Sequence, residues 1–319
     1  MSIVQDFQTV IVRNLPLIDV RAPVEFEKGA LPGAVNLPIL DDEERRLVEI
    51  CHKQKGGAEA VELARSLVKG SKKKQRIDSW IEYAASRPGT IFYCARGGRR
   101  SEFARDWYSK TSGQDISRLH GGYKAFRNFL ISRLDPATIS ARPVILGGRT
   151  GSGKTILLNG LEHSIDLEAI ANHRGSSFGR FLTNQPTQAD FENRLSAELV
   201  KHGHRQHKHL IVEDEGRHIG KRFIPKPLGN FFAEARLVVL ETPLIERARI
   251  TFDEYVIGGQ QVYMSRYGGG EGLLAWYSAM EESGNRIARR LGGKNHKRMK
   301  KMLTAARREQ LETGDPSLN

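Results

Sequence analysis

Two short stretches of this sequence combine residue types that can do chemistry. In the first, Tyr93-Cys94-Ala95-Arg96-Gly97-Gly98-Arg99-Arg100-Ser101, a cysteine precedes Arg100 by five intervening residues. Gly97 and Gly98 let the backbone curl so that successive N–H groups converge on one point. The helix expected from Ser101 onward directs its N-terminal partial positive charge at the same place. Arg96, Arg99 and Arg100 add positive charge. A cradle of this kind holds an anion and favours a thiolate, so Cys94 is expected to act as a nucleophile near neutral pH. In the second stretch, Gly148-x-x-x-x-Gly153-Lys154-Thr155 follows an apolar strand and precedes Ile-Leu-Leu-Asn-Gly-Leu. That is the full P-loop pattern in its strand–loop–helix setting. Gly148, Gly151, Ser152 and Gly153 shape a loop whose N–H groups cradle a diphosphate. Lys154 neutralises it, and the Thr155 hydroxyl reaches Mg²⁺ where one is bound.

Further along, His-Leu-Ile-Val-Glu-Asp-Glu (209–215) reads as the partner strand of such a loop, with Glu213 where Asp is usual and Asp214 beside it. These carboxylates are expected to hold Mg²⁺ or position water. Arg174, Ser176 and Ser177, in a glycine-flanked run, are candidate phosphate contacts. The run 201–209 contains four histidines interleaved with Lys201, Arg205 and Lys208. The neighbouring cations would repel a metal, so a solvated loop is expected and no metal site.

The elements that must position these groups are legible in outline. Residues 17–20 and 90–94 read as buried strands, and 102–110 and 123–134 as amphipathic helices. A Pro-bracketed segment, 135–143, precedes a new strand at 144–146. The expected organisation is α/β throughout, with a first domain over 1–138 and a P-loop, parallel-sheet domain over 139–319. The basic run 70–76 lies inside an unusually long connection. The 319 residues are 39% hydrophobic and 27% charged, enough for two cores and too apolar for a disordered chain. Two cysteines build no disulfide framework, and no signal peptide or membrane span is apparent, so a cytoplasmic protein is expected.

The net charge is +13, from 50 basic and 37 acidic residues. Residues 284–308 hold ten Lys/Arg and no acid; without them 40 basic residues face 37 acidic ones, an excess of three. Concentrated there, the charge suggests a polyanion partner. The candidate contacts are Arg286, Arg289, Arg290, Lys294, Lys297, Arg298, Lys300 and Lys301, with Arg174 and the 70–76 run. Trp276, Tyr277 and Phe178 could stack on a base or line an apolar pocket, although core packing is their more ordinary role.

The first domain resembles the rhodaneses, through Asp19-Val20-Arg21, Glu25-Phe26, Gly29, Pro32-Gly33-Ala34, Asn36, Pro38, the Cys94 loop and Gly121-Gly122. Rhodaneses carry sulfur or selenium on the loop cysteine. Their usual loop is one residue shorter, whereas this spacing resembles that of dual-specificity phosphatases on the same fold, which take a larger tetrahedral anion. Taken alone, this domain leaves a phosphatase or arsenate reductase open. Rhodanese-like and P-loop domains followed by a basic helical region together resemble the bacterial tRNA 2-selenouridine synthases. The segments 94–101, 147–155, 170–179, 186–195 and 212–220 carry that resemblance over essentially the whole chain. It implies replacement of sulfur by selenium at C2 of a wobble 2-thiouridine in tRNA, by S-geranylation with geranyl diphosphate and then displacement with selenophosphate. An enzyme that makes selenophosphate is then an expected partner. The rival reading is a P-loop kinase or ATPase with a rhodanese-like or phosphatase-like accessory domain.

Overall fold

In a parallel sheet both faces are covered, so the central strands are continuously apolar rather than alternating. The strands β2 (Leu17–Asp19) and β4 (Ile91–Tyr93) are buried at every residue, and all are apolar but Asp19, which is paired with Arg21. With β1 (Ile3–Val4), β3 (Ala34–Asn36) and β5 (Ser117–Leu119) they form a parallel sheet in the order β1-β5-β4-β2-β3. Successive side chains point to opposite faces. Ile18 and Phe92 accordingly join Trp80, Ala104 and Tyr108 in one core, while Leu17, Ile91 and Tyr93 join Val10, Phe126 and Leu130 in another. The computed structural model describes residues 3–179 and 182–317.

The long connection between β3 and β4 is three helices, Asp42–Lys55, Gly57–Leu67 and Gly70–Ala85. The first opens with a reciprocal cap: Glu44 N–H donates to Asp41 Oδ1 and Asp41 N–H to Glu44 Oε2, both at 2.9 Å. The basic run 70–76 is the start of the third helix, and its charges are engaged. Lys72 and Arg76 pair with Glu44 at 2.7 and 2.8 Å, Lys74 pairs with Asp78 at 2.7 Å, and the Lys73 ammonium lies 4.3 Å from the Trp107 ring centre. Lys72 and Lys74 remain exposed despite these pairs, so the run still presents charge to solvent.

The chain divides into Met1–Ala141 with Pro186–His207, and Arg142–Gln185 with Lys208–Asn319. A single cut at 138/139 thus misses an excursion of the chain back into the first unit. The helix Gln188–His204 packs there through Ala197 and Val200. Ala30 N–H donates to Asp190, Asn193 Nδ2 donates to the Ala30 carbonyl, and Arg127 donates to Asn193, each at 2.7 Å. Arg127 also pairs with Glu192. The first part of the histidine-rich run belongs to this helix, with His202 5% exposed, while 205–208 form the largely exposed loop expected before the strand His209–Glu213. Among the described residues no group of His, Cys, Asp and Glu is arranged to hold a metal ion.

The second unit is built on β6 (Arg142–Gly147), β7 (Ser164–Ile165), β8 (His209–Glu213) and β11 (Arg236–Val239), parallel in the order β11-β6-β8-β7, with a small hairpin of β9 (His218–Ile219) and β10 (Arg222–Phe223). Chain order reverses around β6, and ligands of open α/β sheets bind beyond the strand ends at such a point. Helices follow from Leu244 to Thr313 around a core of Val256, Trp276 and Tyr277. A buried polar clasp closes it: Gln260 and Gln310 exchange hydrogen bonds at 2.9 and 2.7 Å, and the Tyr277 hydroxyl donates to Gln310 at 2.6 Å. No helix of the described residues is long and apolar enough to cross a membrane.

Candidate active sites in the two units

Cys94 follows the last residue of β4 at the carboxyl edge of the first sheet and is 3% exposed. Its thiol lies 3.3 Å from Ser101 Oγ, which itself donates to the Gly98 carbonyl at 3.0 Å. The loop is pinned from behind by the helix Gly122–Ser132. Tyr123 and Lys124 N–H groups take the carbonyls of Cys94 and Ala95 at 2.8 and 3.0 Å, leaving the loop's own N–H groups for an anion. Gly122 makes that approach possible: at φ +59° it is left-handed, and a Cβ there would sit 2.2 Å from the Cys94 carbonyl oxygen.

The remaining early motif residues hold this edge in shape. Arg21 forks onto Asp19 at 2.6–3.0 Å, with both side chains buried, donates to the Gly29 carbonyl at 2.8 Å, and stacks 4.0 Å from the Tyr123 ring centre. Asn36 Nδ2 ties the Asp19 and Arg21 carbonyls at 3.0 and 2.8 Å. Arg100 does not stand free over the cradle; it forks onto Glu25, with NH2 to Oε1 at 3.0 Å. Burial opposes ionisation of Glu25, but the hydrogen bonds and charge of Arg100 outweigh it and hold the carboxyl below its usual range. Glu25 thus fixes the guanidinium's orientation and offsets part of the charge expected from Arg100. Arg96, Arg99 and Arg100 all line a largely apolar cavity of about 670 Å³.

In the second unit β6 feeds the loop Gly148–Gly153, and Lys154 opens the next helix, Lys154–Asn159. Gly151, at φ +75°, touches the following segment so closely that a Cβ would lie 2.3 Å from Thr251 Oγ1. Arg247 Nε donates to the Thr150 carbonyl at 3.1 Å and Thr242 to the Ser152 carbonyl at 2.9 Å, so the loop is braced by residues almost a hundred positions away. Lys154 Nζ reaches across the loop to the Gly148 carbonyl at 2.8 Å. Ser152 Oγ is buried without a hydrogen-bond partner. Gly148, Gly151, Ser152, Gly153, Lys154 and Thr155 all line one cavity of about 840 Å³.

The two expected carboxylates separate. Asp214 lines that cavity; Glu213 does not, and its assignment to the diphosphate site is corrected. Glu213 is 3% exposed, with Oε2 accepting from Leu167 N–H at 2.9 Å and Oε1 buried without a donor. Burial, then the charge of Asp166, push its pKa from 4.5 up to about 9. The residues missed at the cavity include Asp166, Glu168, Glu215, Arg247, Glu254 and Tyr255. Burial, then the charge of Glu168, push Glu215 up to about 8. Their one sequence signal was the third acid of Glu-Asp-Glu, and the others come from distant elements. The oxygen groups fit a Mg²⁺ held mainly by diphosphate oxygens, with Thr155 and Asp214 as protein donors.

Beside the loop lies a second cavity, of about 480 Å³, walled by Phe178, Val256, Trp276, Met280, Met299 and Leu303. It shares Thr150, Gly175, Ser176 and Tyr255 with the P-loop cavity. Arg174, expected to contact tRNA, instead lines the P-loop cavity with its guanidinium 4.9 Å from the Tyr255 ring centre. Of the other basic candidates, Arg289, Arg290, Lys294, Lys297, Arg298 and Lys301 are exposed over 288–301, and Arg290 also lines the apolar cavity. Arg286 is tied to Ser283 at 2.6 Å and Lys300 to Glu281 at 3.2 Å.

Comparison with known proteins divides the chain into two consecutive stretches. The family model of the tRNA 2-selenouridine synthase AAA domain matches residues 141–319, and that of the rhodanese-like domain matches residues 5–129. The chain is 50% identical over 305 residues to a tRNA 2-selenouridine synthase of Sulfurovum sp. (strain NBC37-1), covering 96% of this chain and 83% of that one. It is 44% identical over 313 residues to the tRNA 2-selenouridine synthase of Hydrogenovibrio crunogenus, covering 97% and 84%. Against that of Shewanella piezotolerans it is 43% identical over 312 residues, covering 98% and 85%.

Proposed function

The chain belongs to the tRNA 2-selenouridine synthase family, and we propose that it replaces sulfur by selenium at C2 of a wobble 2-thiouridine in two steps, one in each unit. A thiocarbonyl sulfur leaves poorly, whereas an alkylated sulfur leaves as a thiol. In the first step the thiouridine sulfur attacks the allylic carbon of geranyl diphosphate, the C–O bond breaks, and pyrophosphate departs. Lys154 and the N–H groups of 150–155 stabilise the charge that develops on it. Mg²⁺, when bound with Thr155 and Asp214, supplies further neutralisation. In the second step the selenium of selenophosphate adds to C2 and the geranylthiolate leaves, taking up a proton. Water then cleaves the Se–P bond, giving 2-selenouridine, geranyl thiol and phosphate. The Cys94 loop binds the tetrahedral selenophosphate, and the exposed cations of 286–301 contact tRNA phosphates. An enzyme supplying selenophosphate is the implied partner.

The observation that carries this reading is the apolar cavity adjoining the P-loop. A diphosphate held by Lys154 would have its substituent beside Phe178, Trp276, Met280 and Leu303, surroundings suited to a hydrocarbon chain. The test is mass spectrometry of nucleosides from 2-thiouridine tRNA incubated with geranyl diphosphate, with selenophosphate, or with both. A geranylated nucleoside in the first mixture and selenouridine only in the last supports the reading. Lys154→Ala should abolish the first product, and Cys94→Ala only the last. ATP turnover with no nucleoside product would favour the kinase or ATPase reading instead.

A further inference from the structure

The cavity beside the Cys94 loop is larger and more apolar than selenophosphate requires. Its walls are the helices Asp42–Lys55 and Gly57–Leu67, with the helix Arg99–Ser112, and its apolar lining includes Leu40, Val48, Val61, Ala64, Phe103 and Trp107. Its charged lining is Arg96, Arg99 and Arg100 from the loop that begins at Cys94, with Arg45 and Arg65, against Glu25 and Glu49, a net excess of positive charge. At about 670 Å³ it falls within the ~300–1,000 Å³ of small-molecule sites. A small, strongly hydrated tetrahedral anion has no use for such walls. A ligand with a hydrocarbon chain at one end and anionic groups at the other matches both linings.

Resting on the two-step reading above, we infer that this cavity receives the prenyl chain of the S-prenylated nucleoside during selenation. Arg96, with what charge Glu25 leaves on Arg100, faces the anionic end of the complex, formed by selenophosphate and the phosphates flanking the nucleotide. When the C2–Se bond forms and the C2–S bond breaks, the electron pair goes to sulfur, and the prenyl thiolate takes up a proton while its chain is still in the cavity. The helices between β3 and β4 therefore select the alkylated intermediate over unmodified 2-thiouridine. Binding the chain places the reacting C2 at the loop, so chain burial is read in the rate of selenation rather than in tRNA affinity alone.

The test supplies the intermediate ready-made, bypassing the P-loop. Full-length protein is given tRNA bearing S-methyl, S-dimethylallyl or S-geranyl 2-thiouridine, with selenophosphate, and kcat/KM for selenouridine formation is measured. In the unaltered protein it should rise with chain length, by about tenfold or more from methyl to geranyl, as expected for hydrocarbon burial. Ala64→Phe, which fills the cavity, should lower the geranyl-to-methyl ratio by about tenfold. A flat chain-length series overturns the inference even if Ala64→Phe fails to fold. So does a folded Ala64→Phe variant with an unchanged ratio. Absence of selenation on every alkylated tRNA would overturn the two-step reading itself, an outcome distinct from both.

Discussion

Replacing Glu213 by glutamine tests whether this carboxyl is structural while its neighbour Asp214 serves the diphosphate. In the folded protein Glu213 Oε1 is a buried acceptor without a donor, close to Asp166, and its pKa stands at about 9 against an ordinary 4.5. A proton on that oxygen turns it into a donor toward Asp166 while Oε2 keeps the Leu167 N–H. Glutamine has the same shape and carries the donor permanently. The native state thus holds a proton that the unfolded chain releases above pH 4.5, so stability falls as pH rises from there toward about 9. Above pH 4.5 the unfolded carboxyl ionises while the folded one stays neutral, a cost that grows with pH at about 1.36 kcal/mol per unit. Glu213→Gln should therefore be the more stable protein at pH 8, with an advantage larger there than at pH 5 by on the order of a few kcal/mol. Urea unfolding of both proteins, followed by circular dichroism at the two pH values, measures it. Geranylation should survive Glu213→Gln and be abolished in Asp214→Asn. An advantage independent of pH, or a glutamine variant weaker at pH 8, would refute the reasoning and return an ionised Glu213 to the cation site.

Three further outcomes are expected. Gly122→Ala forces a Cβ against the Cys94 carbonyl at a left-handed φ, so selenation of pre-geranylated tRNA should fall by more than about tenfold while geranylation at the P-loop persists. Glu25 has the opposite sign to Glu213: its lowered pKa contributes stability above the unfolded value of 4.5 that is lost as pH falls through the folded value. The unfolding difference between the unaltered protein and Glu25→Gln should therefore shrink on acidification from pH 6 to pH 3. Changing Arg289, Arg290, Lys297, Arg298 and Lys301 to glutamine should weaken tRNA binding and flatten its dependence on log salt, by ~0.7–0.9 for each phosphate no longer neutralised, as filter binding at several salt concentrations would show.

What could be read from the sequence was local. The Cys94 loop and the P-loop each lie within a dozen residues, and their glycines mark backbone shapes that side-chain-bearing residues would clash with or strain. Gly121-Gly122 was legible as part of a resemblance, but its reason, the close approach to the Cys94 and Gly97 backbone, required the fold. Glu213 was misplaced because adjacent residues at a strand end point to opposite sides: one carboxyl enters the cavity and the next is buried against Asp166. The helix Gln188–His204 was assigned to the second domain by position, although Asp190, Glu192 and Asn193 bond to Ala30 and Arg127, across more than sixty residues of chain. The pairing of Lys72 and Arg76 was not legible in the basic run 70–76 because Glu44, their shared partner, lies almost thirty residues earlier.

Each unit pairs a loop shaped for a tetrahedral or diphosphate anion with an apolar cavity, and the pairing is more informative than either part. A nucleotide-hydrolysing P-loop needs no hydrocarbon pocket, and a persulfide-carrying cysteine loop needs none either. A route that attaches a prenyl chain in one step and expels it in the next needs both. In the first unit Arg96, Arg99 and Arg100 bring the charge and the helices of the β3–β4 connection bring the apolar walls. In the second unit Lys154 and Arg174 bring the charge, while Trp276, Met280 and Leu303 come from the C-terminal helices. The apolar walls in both cases come largely from elements outside the two loops. On the proposed route the helical additions would extend two sheet edges into sites for amphiphilic substrates, and the alkylated nucleoside is the species both would have to accommodate.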